Sequence, residues 1–191
     1  MSEAAYAYSE DHTQDYEIIN GQVYMMARPS IKHAQIKGNI LGVFKSYLKG
    51  KKCRPFDEVD VFFSEDDNFI PDVIIVCDPE IIEENAIYGT PDLVVEILSP
   101  STARNDKIRK KAAYEKYGVK EYWIVDPMSK SVEVYLRKED KLILDDVYST
   151  YKDFEWKALT DEEKAAVKQA IKVSLYDDFY VQMSDIFENV K

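Results

Sequence analysis

The sequence predicts an α/β fold, helices flanking a mixed sheet, on three observations. DVIIVC (72–77), LVVEIL (93–98) and EYWIVD (121–126) are short apolar runs of strand length, rich in Val and Ile. Residues 31–48 and 105–117 carry helix signals instead, the first through apolar residues at helical spacing and both through a terminating glycine. The 191 residues, 46% of them hydrophobic, suffice for one substantial core.

In chain order, residues 1–15 are polar and acidic and are expected to be flexible, with no apolar stretch that would mark a signal peptide. YEIINGQVYMM (16–26) reads as a hairpin, with Asn20-Gly21 as its type I′ turn. Ile36, Ile40, Val43, Phe44 and Tyr47 place a helix over 31–48, ended by Gly50. EVDVFF (58–63) alternates as a half-buried strand before the SEDDN turn, and DVIIVC follows as a more buried one. DPEIIEENAIYGT is a loop with at most one helical turn, and LVVEIL is the next strand, broken by Ser99-Pro100. The helix over 105–117 stops at Gly118, and EYWIVD returns as a strand. SVEVYL and KLILDDVY form a hairpin around Lys138–Asp140. LTDEEKAAVKQAIK opens with Thr160 as N-cap and Glu163 three residues on, a capping box, and a short helix closes the chain. The core order is helix, three strands, helix, strand. One domain is expected over 16–191, comprising a core over 16–148 and a C-terminal extension over 149–191 that could serve as an interface.

Composition narrows the function. No apolar run approaches the ~20 residues of a membrane helix. Cys53 and Cys77 make neither a disulfide framework nor a metal pair of usual spacing, so a reducing cytoplasm is the expected setting. The net charge of −11 opposes tight nucleic-acid binding, but its distribution is uneven. Residues 31–54 hold Lys32, Lys37, Lys45, Lys49, Lys51, Lys52 and Arg54 with no acid, residues 55–103 hold no Lys or Arg, and a second basic group runs from Arg104 to Lys120.

Within the apolar strand 93–98 stands Glu96, a residue type rarely buried unless it is paired or coordinates a metal. Pro71-Asp72 opens the preceding strand. Neighbouring strands lie ~4.8 Å apart, so two carboxylates at matching depth could share one Mg²⁺ or Mn²⁺, with the carbonyl of Ile97 as a further ligand. Without a metal, one of the two would hold its proton. The plainer alternative has Asp72 capping a turn and Glu96 meeting a lysine. On the following helix Asp106 and Lys110 are i,i+4, as are Lys107 and Lys111, and Lys110 also lies one turn from Tyr114. Any of these pairs could be a surface ion pair worth ~0.3–0.5 kcal/mol, and spacing does not choose among the lysines.

YEIINGQVYMM, RPSIKH, PDVIIV, PDLVVEILSPST, the D-x-x-x-K-x-x-x-Y of Asp106, Lys110 and Tyr114, and GVKEYWIVDP together resemble the Uma-two family, restriction-endonuclease-like members of the PD-(D/E)XK nuclease superfamily. The similarity covers roughly 16–148. It implies a restriction-endonuclease-like fold and divalent-metal-dependent cleavage of nucleic acid, with Asp72 at the PD aspartate and Glu96 at the (D/E) position. The superfamily's lysine stands two residues after that acid, where this chain has Leu98; the family's basic residue lies on the following helix and matches Lys110. Glu17 matches a family acid that would complete the metal site. His33 matches the family histidine, although Ile31 replaces the second proline of P-S-P-x-H. Asp92 and Tyr114 fall at supporting positions.

The resulting expectation is a Mg²⁺- or Mn²⁺-dependent endonuclease acting on DNA, with Asp72, Glu96, Ile97 and Glu17 around the metal and Lys110 stabilising the transition state. His33, Arg104, Lys107 and Lys111 would contact substrate, and a homodimer would gather the basic helices and supply two sites for paired cuts. Two alternatives stand beside it: a non-catalytic nucleic-acid-binding or protein-interaction module, and a phosphodiesterase acting on small nucleotides.

Overall fold

A computed structural model describes residues 15–100 and 102–191; the flexible terminus expected over 1–15 lies, but for its last residue, outside the described residues. Apolar runs assemble the centre. β3 (Arg54–Phe56), β6 (Val73–Val76), β8 (Leu93–Ile97), β9 (Glu121–Asp126), β10 (Ser131–Lys138) and β11 (Lys141–Ser149) form a six-stranded sheet in the order β11-β10-β9-β8-β6-β3. Among the described residues of this sheet, only β8 and β9 pair in parallel, from Leu93↔Glu121 to Ile97↔Val125. A parallel pair needs a long crossover, and the helical segment between the two strands supplies it.

β8 is apolar throughout because both its faces are covered. On one face Val73, Ile75, Leu93, Val95 and Trp123 meet Ile36, Ile40 and Phe44 of α1 (Ile31–Leu48). The helix runs where the spacing predicts; Ser30 caps it, accepting the His33 N–H at 3.2 Å. Ile171, Val173, Phe179, Val181 and Ile186 from the C-terminal stretch complete this layer. They come from β12 (Ala170–Lys172), β13 (Tyr180–Gln182), α5 (Met183–Ile186) and the loops between.

On the opposite face Ile74, Val94, Tyr122 and Ile124 pack against a second, five-stranded sheet and the crossover helix. That sheet runs β2-β1-β5-β4-β7, from β1 (Tyr16–Ile19), β2 (Gln22–Met25), β4 (Val61–Phe62), β5 (Asn68–Phe69) and β7 (Ile87–Tyr88). Its β1–β2 hairpin turns at Asn20 and Gly21, with φ of 51° and 72°, as a type I′ turn requires. The crossover is π-helical over Asn105–Lys110 and continues as α2 (Lys111–Tyr117), where Gly118 at φ 90° ends it.

The mixed α/β class holds, and four local expectations change. The strand expected over 58–63 shrinks to Val61–Phe62, since Glu58 takes a positive φ of 48°, and it joins the second sheet. The strand beside β6 is β3, for which 54–56 carried no strand expectation because Pro55 disguised it; proline is confined to edge strands such as this one. The helix over 159–172 stops early: α4 (Asp161–Ala166) has both bonds of the Thr160–Glu163 capping box, but 170–172 is strand, and α3 (Asp153–Ala158) precedes it. Finally, Cys53 and Cys77, expected to stay apart, form a disulfide with Cα atoms 3.9 Å apart. The pairing Arg54↔Val76 continues to these two residues, bringing together thiols far apart in sequence. Cysteine usage therefore no longer argues for a reducing compartment. Among the described residues no helix is long and apolar enough to cross a membrane.

Candidate active site

The antiparallel register of β6 and β8, Val73↔Val95 and Ile74↔Val94, continues to Asp72 opposite Glu96. Directly opposed residues point to one sheet face, so both carboxylates are directed to the side covered by the crossover helix. Asp72 is held on two sides: Oδ2 accepts the Ile97 N–H at 2.6 Å, and Oδ1 lies 3.1 Å from Nε2 of His33, in the first turn of α1. Burial alone would lower the pKa of His33, but its hydrogen bond to Asp72 and the charge there outweigh it, and the net shift is upward. Nδ1 of the same ring is buried with no hydrogen-bond partner.

Glu96 is 3% exposed. Its Oε1 accepts from Nζ of Lys110 at 3.0 Å and from the Tyr114 hydroxyl at 2.6 Å. Lys110, 4% exposed, therefore does reach back from the helix to the strand. Its ammonium also lies 2.6 Å from Oε1 of Glu17 and 3.8 Å from Oδ1 of Asp106. Three carboxylates from β1, β8 and the helix thus converge on one cation. The π-helical turn, with the Lys111 N–H bonded to the Asp106 carbonyl, ends at Lys110; such turns recur at functional sites.

Charge and burial compete here. Burial lifts the Glu96 carboxyl well above its ordinary range; Lys110 opposes this, while Asp106, Asp72 and Glu17 add to it. Burial likewise raises Asp106 from 3.8 to about 6 against the pull of Lys110. Burial also opposes the charge of Lys110, yet Glu17, Glu96 and Asp106 together hold its pKa well above that of an ordinary lysine. The Tyr114 hydroxyl, raised by burial and by the charge of Glu96, stays protonated and donates.

The other expected residues disperse. Lys107 pairs with Glu133 at 2.6 Å on the helix surface, and Lys111 bonds the Leu142 carbonyl at 3.0 Å. Arg104 is exposed at the helix start. Ile97 meets the site through its backbone, with its N–H on Asp72. Asp92 braces the sheet end, accepting the Cys77 N–H at 2.7 Å and Lys120 at 2.6 Å. Sequence reasoning gave Asp106 no role beyond an ion pair, yet it is buried in the cluster. The signal was there, in the i,i+4 stripe with Lys110. The Ile70 N–H, which bonds Glu17 Oε1 at 2.9 Å, had no signal at all.

The donor set suits a hard cation, since Asp72 and Glu96 are opposed carboxylates on one face of the sheet. Among the described residues no group of three or more His, Cys, Asp or Glu stands at metal-ligand spacing. Mg²⁺ asks for less, one or two carboxylates with water and substrate oxygens completing its octahedron. Two carboxylates fit that requirement.

The sequence model of the Uma2 (Uma-two) family, described as "Putative restriction endonuclease", matches residues 3–160. The chain belongs to this family. Two uncharacterized proteins of Synechocystis sp., slr1290 and sll1609, are 28% and 26% identical to it over 136 and 137 residues. The matches cover 70% and 69% of this chain and 72% and 77% of theirs. A crystal structure from Anabaena variabilis, described as "a putative nuclease belonging to DUF820", superposes with a TM-score of 0.70 at 22% identity. It covers 91% of this chain and 90% of that one. The fold of this Uma2 protein is restriction-endonuclease-like, and its family points to a nuclease.

Proposed function

We propose that this Uma2 protein is a divalent-metal-dependent endonuclease that hydrolyses phosphodiester bonds of DNA, working as a homodimer. The observation that carries the reading is Asp72 opposite Glu96 on one sheet face, with the Lys110 ammonium 3.0 Å from Glu96. Asp72, Glu96 and the Ile97 carbonyl would hold Mg²⁺ or Mn²⁺. When bound, such an ion polarises a phosphoryl oxygen and lowers the pKa of a bound water. The chain's own residues do the rest. Lys110 meets the charge that develops on the phosphoryl oxygens, in a dry site where a fixed cation counts for most. The Tyr114 hydroxyl holds Glu96 by donating to its Oε1, and His33 and the Ile97 N–H fix Asp72. The exposed Arg104, with Lys107 and Lys111 once their partners Glu133 and the Leu142 carbonyl yield, would be the groups available to backbone phosphates, whereas His33 is committed to Asp72.

The net charge of −11 favours a second reading, a phosphodiesterase acting on small nucleotides, which demands less phosphate neutralisation. One panel tests both. Purified protein is incubated with supercoiled, linear and single-stranded DNA, RNA and a dinucleotide, each with Mg²⁺, Mn²⁺ or chelator. Metal-dependent nicking or linearisation of the DNA supports the first reading. Cleavage of the dinucleotide alone supports the second, and no cleavage anywhere refutes both, leaving a non-catalytic module on the same fold.

A further inference from the structure

We infer that Glu17 is a positioning residue for Lys110 and is not a metal ligand; the role rests on the nuclease reading above. A lysine carries much rotamer freedom and must be held to act as a fixed charge. Here it is delivered from a helix, because Leu98 occupies the position two residues after Glu96 on the strand. Its ammonium consequently crosses from the crossover helix towards β8 and lands between two carboxylates, 2.6 Å from Glu17 and 3.0 Å from Glu96.

Glu17 is itself fixed. β1 and β5 pair at Ile18↔Asn68, and beyond that pair the Ile70 N–H turns to the Glu17 carboxylate at 2.9 Å. Both bonds fall on Oε1, so one oxygen ties the second sheet to the lysine of the helix. The Phe69 ring, 6.0 Å from the ammonium, lines the same side. A divalent cation shared by Glu17 and Glu96 would have to occupy the space the ammonium already fills, against like charge. Asp72 has no such obstacle: its partners are an imidazole and a backbone N–H. The two acids that the sequence offered beside Glu96 therefore divide their roles, Asp72 toward the metal and Glu17 toward the lysine.

Glu17→Gln keeps the shape and an oxygen for Ile70 and removes the charge that holds Lys110. Mn²⁺ affinity is measured by titration calorimetry and DNA cleavage by steady-state kinetics, on full-length wild type and variant. The expected result is a kcat lower by about 10–100-fold, the usual loss for an outer-shell partner, with the Mn²⁺ Kd unchanged within about twofold. A Kd weakened by more than about tenfold makes Glu17 a ligand and overturns the role, as does an unchanged kcat. Glu17→Asp, which keeps the charge but shortens the reach to Lys110, should show the same split and serves if the Gln variant does not fold. Wild-type protein that neither binds Mn²⁺ nor cleaves overturns the nuclease reading itself; wild type that does both, beside a variant with weakened Mn²⁺ binding, overturns only the role of Glu17.

Discussion

Replacing Lys110 with methionine removes the one ammonium that Glu17, Glu96 and Asp106 share at 2.6, 3.0 and 3.8 Å. All three acids are buried, and stripping one partner from a buried ion pair costs ~3–5 kcal/mol. For a chain of this size each kcal/mol moves Tm by roughly 2–4 °C, so Lys110→Met should melt about 6–20 °C below wild type at pH 8. The loss should depend on pH. Lys110 now holds Glu96 and Asp106 down against burial, and Asp106 already sits at about 6. Without the lysine both rise further. A carboxyl whose folded pKa is raised contributes stability that is complete below its unfolded value, near pH 4, and is lost as pH rises through the folded value. The variant should therefore be closest to wild type near pH 5 and fall progressively behind towards pH 8. Thermal melts by circular dichroism across that range test this. A Tm within about 2 °C of wild type at pH 8, or a deficit of equal size at pH 5 and pH 8, would refute the buried network.

Lys110→Met should also lower cleavage about a hundredfold or more, as losing a transition-state contact does, while Lys116→Met, whose side chain is 61% exposed, should leave it unchanged; equal losses would reduce the effect to general electrostatics. In Asp72→Asn, the His33 imidazole should lose the negative charge that helps raise its pKa, and burial should bring the pKa down, a shift followed by NMR; an unmoved titration would mean that His33 does not meet Asp72. Reducing Cys53–Cys77, which spans 24 residues, should cost ~2–4 kcal/mol and lower Tm by roughly 4–16 °C; identical melting with and without reductant would show that the thiols are not joined.

Elements that announce themselves locally were legible. The β1–β2 hairpin follows from Asn20-Gly21, α1 from the apolar stripe Ile36 to Tyr47, and β9 from Tyr122, Trp123, Ile124 and Val125, four consecutive strand formers. What the sequence hid depends on partners distant along the chain. β3 is three residues around Pro55, β5 and β7 are two residues each, and their pairing is a tertiary property. The turn that closed α4 early gave no warning, because Val167–Gln169 continue a helical pattern into what becomes β12. In the site, Glu96 betrayed itself by standing in an apolar strand, while Lys110 was singled out by the resemblance to the family, whose basic residue lies on the following helix. Register was needed to set Asp72 opposite Glu96. Nothing local distinguished Lys107 and Lys111, which turn to Glu133 and Leu142, from the buried Lys110 between them. Glu96 has the lysine partner of the plainer alternative and also stands opposite a second carboxylate.

On the proposed reading, Asp72 and Glu96 share one hard cation. Crystals soaked in Mn²⁺ and measured at the manganese edge test it directly. An anomalous peak is expected about 2.0–2.4 Å from oxygens of both Asp72 and Glu96, absent from crystals of Asp72→Asn. A peak bound elsewhere, or an empty position between these two carboxylates in protein that still cleaves DNA with Mn²⁺, would contradict it.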